Sequence, residues 1–183
     1  MNWTNLLLEQ LTFHWDAQVR PGLDGLTDEE YLWEPVPEMW SIRPRADART
    51  PMAAGGGALV ADFAFPAPEP PPVTTIAWRL AHVIVGVFGA RNASHFGGPP
   101  IEYQTFVWSG AAAGALRQLD EVYAGWCAGV ATLDDEALAR PVGPAEGPYA
   151  ELPYASLVLH IHREAIHHLA EVALLRDLFR AQP

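Results

Sequence analysis

The chain has 183 residues, half of them hydrophobic, and a formal net charge of −11. This length and composition predict a single domain over residues 1–183 with a substantial core. All 11 basic residues are arginines, and they form no basic stripe, which argues against nucleic acid or an anionic membrane as a partner.

Several features predict a cytoplasmic protein. Residues 1–11 lack a basic start and contain Glu9, which is untypical of a signal peptide. The most apolar run, residues 75–90, contains charged or titratable side chains and is too short to cross a bilayer. Cys127 is the only cysteine, so no intrachain disulfide can form, as is usual in a reducing compartment.

Two helices are expected near the N-terminus. Hydrophobic periodicity predicts a first helix over residues 2–20, ended by the Pro-Gly pair at 21–22. Thr27 and Glu30 form a capping-box pattern, which predicts a short helix over residues 26–33.

The middle of the chain begins with an irregular segment. Residues 43–73 contain seven prolines and no helical period, so we expect a long loop, with a short strand possible within 58–65. Helical periodicity then predicts a second long helix from residue 74 or 75 to about 94 and a third over 111–133.

The last helix carries the candidate site. Residues 157–180 contain no Gly or Pro, and apolar residues recur at helical spacing. Within it, His160, Glu164 and His168 are four residues apart and share one face, because each step turns the helix by ~400°. Burying three such groups without partners would be costly.

This spacing indicates a divalent metal. His160 and His168 lie ~12 Å apart along the axis and cannot bind the same ion. The helix therefore offers either Glu164 with His168 or His160 with Glu164, and other elements must supply further ligands. Imidazole and carboxylate suit zinc, nickel, iron or manganese. The alternative is a partly solvated polar stripe whose histidines bond to their neighbours.

Two other helical residues have alternative interpretations. His14 lies on the apolar side of the first helix, as a hydrogen-bonded core histidine, a pocket group or an extra metal ligand. Arg79, three residues before His82, could form a salt bridge or bind an anionic substrate.

One face of the second helix indicates a close approach. It carries Trp78, His82, Gly86 and Gly89. Glycine inside a helix costs ~1 kcal/mol relative to alanine. Two glycines on the His82 face therefore predict that another helix or a ligand approaches closely.

Four short motifs resemble the DinB-like superfamily, which includes the mycothiol-dependent maleylpyruvate isomerases and related thiol transferases. These motifs are Trp33-Glu-Pro-Val-Pro, Trp40-Ser-Ile-Arg, Trp78-Arg-Leu-Ala-His82 and Arg163-Glu-Ala-Ile-His167-His168-Leu-Ala-Glu171. The resemblance covers nearly the whole chain.

The resemblance implies an all-α fold, an up-down-down-up four-helix bundle with long loops and a divalent metal between the helices. By position, the implied ligands are His82, Glu164 and His168. A glutamate at 164 resembles the isomerase branch. We expect zinc first among the candidate metals, and we expect His160 and His167 to lie near the ion without binding it.

The resemblance also implies a reaction. Three protein ligands leave an open position, where a small thiol such as mycothiol would become a thiolate and attack a small electrophile. This predicts a thiol S-transferase or isomerase. The isomerases have a further C-terminal domain, whereas this sequence ends at Pro183, which favours the transferase. Family members are often homodimers. The alternatives are a hydrolase that uses metal-activated water and a metal-binding protein without catalysis.

Overall fold

The computed structural model describes residues 2–182, which are mostly helical with one small two-stranded sheet. No helix in this range combines the length and hydropathy needed to span a bilayer. Two helices have a π-helical middle: α1 comprises Trp3–His14, π-helical Trp15–Val19 and Arg20–Leu23, and α3 comprises Ile76–Ala81, π-helical His82–Gly89 and Ala90–Phe96. The other elements are α2 (Asp28–Leu32), β1 (Ile42–Pro44), β2 (Leu59–Ala61), α4 (Ala112–Val130), α5 (Asp135–Ala139) and α6 (Tyr154–Arg180), with 3-10 turns at Arg45–Asp47 and Pro144–Tyr149.

Helix α1 continues past its predicted end. The Pro21-Gly22 pair lies inside the last helical turn, directly after the π-helical segment, where the Arg20 N–H donates to the Trp15 carbonyl five residues earlier. The helix ends at Asp24, whose backbone is extended, followed by Gly25 at φ +68°. The predicted stop at 21–22 is therefore wrong by a few residues. Asn2 caps the start, as expected, by accepting a hydrogen bond from the Asn5 N–H.

The capping box that begins α2 is confirmed. Thr27 accepts a hydrogen bond from the Glu30 N–H, and the Glu30 carboxylate accepts one from the Thr27 N–H. The same carboxylate also pairs with Arg176 of α6, at 3.0 Å from its Nε. This short helix is thus tied to the long C-terminal helix by a buried charge pair.

The predicted long loop is more ordered than its composition indicates. Strand β2, inside the expected 58–65 run, pairs antiparallel with β1. Asp62, which is fully buried, accepts hydrogen bonds from the Ser41 and Arg49 N–H groups and from Arg43 Nε. Its backbone carbonyl accepts one from Trp78 Nε1 at 2.7 Å. The loop is therefore fixed against the first turn of α3.

The hydrophobic core lies between the four long helices. Helix α3 packs against α4 and α6, and α1 also packs against both. The largest fully buried side chains include Trp126, Phe88 and Leu119. On the other side of Phe88, the rings of Trp15 and Tyr123 stack with centroids 3.7 Å apart. This packing brings the His82 turn of α3 against the middle of α6.

Candidate metal site

His82 of α3 and His168 of α6 meet between the two helices. Their ring centroids are 4.7 Å apart, and the rings lie edge to face at 85°. The α3 residue stands at the start of the π-helical segment, a local geometry that is frequent at functional sites. Two imidazoles on different helices are therefore within reach of one small ion.

The Nδ1 atom of each ring contacts another residue. His168 Nδ1 is 2.8 Å from Glu171 Oε2, and His82 Nδ1 is 3.0 Å from the hydroxyl of Tyr103. A carboxylate only accepts, so His168 carries its proton on Nδ1. Metal binding through Nε2 of His82 requires the same tautomer, with Nδ1–H donating to Tyr103. Both rings then present Nε2 as the ligand atom, as in sites where a carboxylate or hydroxyl orients a ligating histidine.

Glu164 supplies an oxygen beside His168 Nε2. Its Oε2 is 3.5 Å from His168 Nε2, and its Oε1 is 3.5 Å from His160 Nδ1. The regular α6 helix creates this row through the spacing of four. Two imidazole nitrogens and one carboxylate oxygen are the donor set of zinc and of several other divalent metals.

A different grouping brings its ligand atoms closer together. Among the described residues 2–182, the one set of three whose ligand atoms all lie within 4.8 Å of one another is His167, His168 and Glu171, and the predicted set His82, Glu164 and His168 does not meet that distance. However, Arg79 Nε is 2.9 Å from Glu171 Oε2, the oxygen that also faces His168 Nδ1. A guanidinium is always charged, so a cation there would face a fixed positive charge. His167 is also well exposed, at 64% of its side chain. Electrostatics therefore favour cation binding at Nε2 of His168 over binding at Nδ1.

Arg79 has a supporting position. Its salt bridge to Glu171 holds it beneath the histidine, and only 18% of its side chain is exposed. Arg79 Nη1 also lies 3.3 Å from His168 Nδ1, but it does not donate there, because Nδ1 already carries the proton that faces Glu171. Burial lowers the pKa of Arg79, and Glu171 opposes that shift. Of the two predicted roles, the salt bridge is the one observed.

An apolar cavity adjoins His82. Its volume is about 280 Å³, and its walls include Met52, Ala54, Phe63, Trp78, His82 and Tyr103. Trp78 lies parallel to the His82 ring, with centroids 5.7 Å apart. His82, a candidate metal-binding residue, therefore borders a space large enough for a small molecule.

Gly86 makes the contact between Tyr103 and His82 possible. A Cβ atom at this position would lie 2.5 Å from the Tyr103 hydroxyl and 3.0 Å from His82 Nδ1. At Gly89, a Cβ would lie 2.9 Å from Ile101. The close approach predicted for these glycines is real, but the connecting segment before α4 makes it, rather than another helix or a ligand.

The environment of His82 keeps it neutral. Burial lowers its pKa to about 4, and the positive charge of a protonated His168 and of Arg79 acts in the same direction. A neutral imidazole is the form that binds a metal.

Other histidines lie outside this cluster. His14 borders a separate groove between α1 and the C-terminal half of α6, where its Nε2 is buried without a hydrogen-bond partner. His160 contacts Arg163, at 2.6 Å from Nδ1, and lines a different cavity. His162 is buried at 4% exposure beside Trp126.

Sequence reasoning missed two residues of the site. Tyr103 lies in an aperiodic connection, and only the helix glycine at 86 hinted at something approaching that face. Glu171 is three residues after His168, a spacing that places both on one side of a helix. That spacing was a usable signal for a carboxylate that orients the histidine.

The fold and the site together define a mostly helical protein with two histidines and a carboxylate between two of its helices. Residues 58–172, more than half of the chain, match the model of the DinB superfamily, and the chain belongs to this superfamily. The match confirms the resemblance drawn from the sequence motifs. Searches of curated proteins and of solved structures found no match.

Proposed function

We propose that this protein is a metal-dependent thiol S-transferase whose ion is held by His82 Nε2, His168 Nε2 and Glu164. The observation that carries the proposal is the meeting of the two rings at 4.7 Å, each with Nδ1 engaged by another residue and with Glu164 beside His168. Zinc is the metal we expect, and nickel, iron and manganese are the alternatives.

A divalent ion held by these residues would supply the positive charge that lowers the pKa of a small thiol. The protein contributes orientation. Tyr103 fixes the tautomer of His82, and Glu171 fixes that of His168. The apolar walls at Trp78 and Phe63 favour a small electrophile with an apolar body and exclude water from it.

The proposal extends to the assembly. We infer an up-down-down-up four-helix bundle, which the packing of α3 and α1 against both α4 and α6 supports. A homodimer is part of the proposal, supported by the exposed apolar side chains Trp3, Leu6 and Phe13 on α1. A low-molecular-weight thiol co-substrate needs a reducing compartment, hence a cytoplasmic location. Light scattering against the 20.0 kDa chain mass tests the dimer.

Elemental analysis of the purified protein tests the metal site. The wild type should carry close to one divalent ion per chain, and His82→Ala and His168→Ala should each lose it. His167→Ala is the matched control and should retain the ion. If His167→Ala loses metal while His82→Ala keeps it, the ion belongs to the neighbouring grouping instead.

The reaction is tested separately, on protein with measured metal content. We expect metal-dependent conjugation of a small thiol to monochlorobimane, faster than the spontaneous reaction. Ester hydrolysis without any thiol requirement would identify the hydrolase, and absence of any turnover by the metal-loaded protein would identify a binding protein.

A further inference from the structure

A second and larger cavity lies one turn of α6 away from the proposed metal ligands. Its volume is about 450 Å³, and it lies between α3, α6 and the turn at Pro144–Tyr149. Its lining includes Arg91, Glu146, Tyr149, Leu152, His160 and Arg163. Neither the sequence motifs nor the proposed reaction assigns it a role.

Two residues of this cavity contact a proposed metal ligand. Arg163 Nη2 is 3.4 Å and His160 Nδ1 is 3.5 Å from Oε1 of Glu164, whose other oxygen faces His168. The cavity lining contains none of the three proposed ligands, so Arg163 and His160 are the residues that connect the cavity to the metal site.

The one carboxylate that lines the cavity is already engaged. Glu146 contacts His95 Nε2 at 3.0 Å and Arg91 at 3.3 Å. Burial would raise the pKa of Glu146, but His95 and Arg91 hold it below its usual range, so it stays ionised and paired. Arg91 is in turn anchored to the Gly86 carbonyl at 2.7 Å.

Arg163 is different, because its carboxylate neighbour is a proposed metal ligand. Its side chain is 69% exposed, and the acidic contact that it makes is with Glu164. Once that carboxylate binds a divalent ion, its negative charge is compensated by the ion. The groove then has an excess of positive charge, in a chain whose formal net charge is −11.

His160 adds a neutral donor to the same wall. Arginine can only donate, so the 2.6 Å contact from Arg163 Nη2 makes His160 Nδ1 the acceptor and leaves the proton on Nε2. Leu152 and Tyr149 supply an apolar rim, both largely exposed. A positive end beside an apolar rim fits an organic acid rather than a bare inorganic anion.

We propose that this cavity binds the thiol co-substrate and that the co-substrate bears a carboxylate, held by Arg163 with its sulfur directed to the metal ligands. The inference rests on the proposed function and specifies the chemical class of the thiol: an acidic low-molecular-weight thiol rather than a neutral one.

A matched pair of thiols tests this class. N-acetyl-L-cysteine and N-acetyl-L-cysteine amide differ only in the charge at the carboxyl end. Calorimetric titration of the zinc-loaded protein at low salt should give roughly tenfold tighter binding of the acid, the size expected for a charge-assisted contact that is partly exposed. Screening by salt should reduce the ratio.

Two variants locate the effect. Arg163→Gln should bring the affinities for the acid and the amide to within about twofold of each other, and Arg163→Lys should restore part of the preference for the acid. Arg117→Gln removes the same charge from the exposed side of α4 and should leave the ratio as in the wild type. The wild-type ratio decides the class even if Arg163→Gln retains less zinc.

The outcomes separate the two proposals. Equal binding of acid and amide by the wild type overturns the acidic class and leaves the metal-dependent reaction standing. A preference for the acid that persists unchanged in Arg163→Gln overturns the assignment of the carboxylate to Arg163. If the zinc-loaded protein binds neither thiol, the proposed thiol chemistry falls together with the inference.

Discussion

Helix α6 carries two polar clusters that resemble each other in composition but differ in what surrounds them. The closed cluster consists of Arg176 and Arg180 on α6 with Glu30 on α2. The open cluster consists of Glu164, His168 and Glu171 on α6 with His82 on α3. Both place charged or titratable groups between helices, so burial alone does not distinguish a structural cluster from a functional one.

The difference lies in how fully each group is satisfied. In the closed cluster, Arg176 is 2% exposed and donates to Glu30 and to the backbone carbonyls of Gly22 and Asp24. Burial would raise the pKa of Glu30, but the hydrogen bond from Thr27 and the charges of Arg176 and Arg180 lower it below its ordinary value. The donors and acceptors thus satisfy one another, and no ion is needed.

In the open cluster, the protein satisfies only one side of each imidazole. Tyr103 and Glu171 hold the Nδ1 atoms, while the Nε2 side of His168 faces another acceptor-rich group, Glu164. A divalent ion between them, or a second proton on His168, would complete this arrangement. A polar cluster that is incomplete and lies beside a cavity therefore indicates a binding role, whereas a complete cluster indicates a structural role.

The largest effect is expected from breaking the closed cluster. Arg176→Ala leaves the Glu30 charge buried without its main partner and should cost ~3–5 kcal/mol of unfolding free energy, measured by urea titration. Arg180→Ala is the control, because Arg180 is 54% exposed, and should cost less than ~1 kcal/mol. Metal content should be unchanged in both. Similar losses for the two variants would show that Arg176 is not the centre of the cluster.

The next largest effect is the pH dependence of stability that arises from His162, which is buried outside both clusters. Burial lowers its pKa to about 4, with a hydrogen bond to the Leu7 backbone opposing the shift. The unfolded chain protonates at about 6.5, so it binds more protons than the folded chain between these values. The stability due to neutral His162 is therefore complete above pH 6.5 and is lost as the pH falls to about 4, by about 3 kcal/mol.

This pH dependence is measured by urea unfolding at several pH values in the presence of chelator. The His162→Gln variant can still donate a hydrogen bond but does not titrate, so its stability should depend less on pH over the same interval. His82 titrates in both proteins and cancels in the difference. Parallel pH profiles for the two proteins would show that His162 is not the source.

The third effect completes the comparison at the open cluster. Glu164→Gln replaces a charged ligand by a neutral amide and should weaken metal binding by roughly 100-fold or more, measured by competition with a chelator. Metal-free stability should change by less than ~0.5 kcal/mol, because Glu164 is only half-buried. Glu9→Gln, on the exposed face of α1, removes the same charge as a control. Equal affinity in Glu164→Gln and wild type would leave a site built on histidines alone.

Local sequence signals predicted the parts of the molecule that depend on short-range spacing. The row on α6 follows from steps of four residues, the α2 capping box from Thr27 and Glu30, and strand β2 from the small apolar run at 58–65. Each is decided within one helical turn or one strand, where side-chain periodicity is informative.

The remainder depends on contacts between residues distant in the chain. Tyr103 meets His82 across 21 residues, and Asp62 binds backbone N–H groups of an aperiodic loop. No periodicity encodes such contacts. The π-helical turn before Pro21 likewise lets α1 continue where proline rules alone predict an end.

The smallest effect tests whether Tyr103 orients its histidine. Tyr103→Phe removes the hydroxyl that lies 3.0 Å from His82 Nδ1 and keeps the ring against Trp108. Loss of an orienting partner should weaken metal binding by roughly tenfold, because His82 then samples the tautomer whose Nε2 carries a proton.

Gly86→Ala should act in the same direction, since its Cβ would lie 2.5 Å from that hydroxyl. In the double variant Gly86→Ala with Tyr103→Phe, the clash is partly relieved, so the affinity losses should be less than additive. Chelator competition measures all three variants, and the thermal midpoints of the metal-free proteins control for misfolding. If Tyr103→Phe retains wild-type affinity within twofold, His82 is oriented by its packing on Trp78, and the open cluster does not need the Tyr103 hydroxyl.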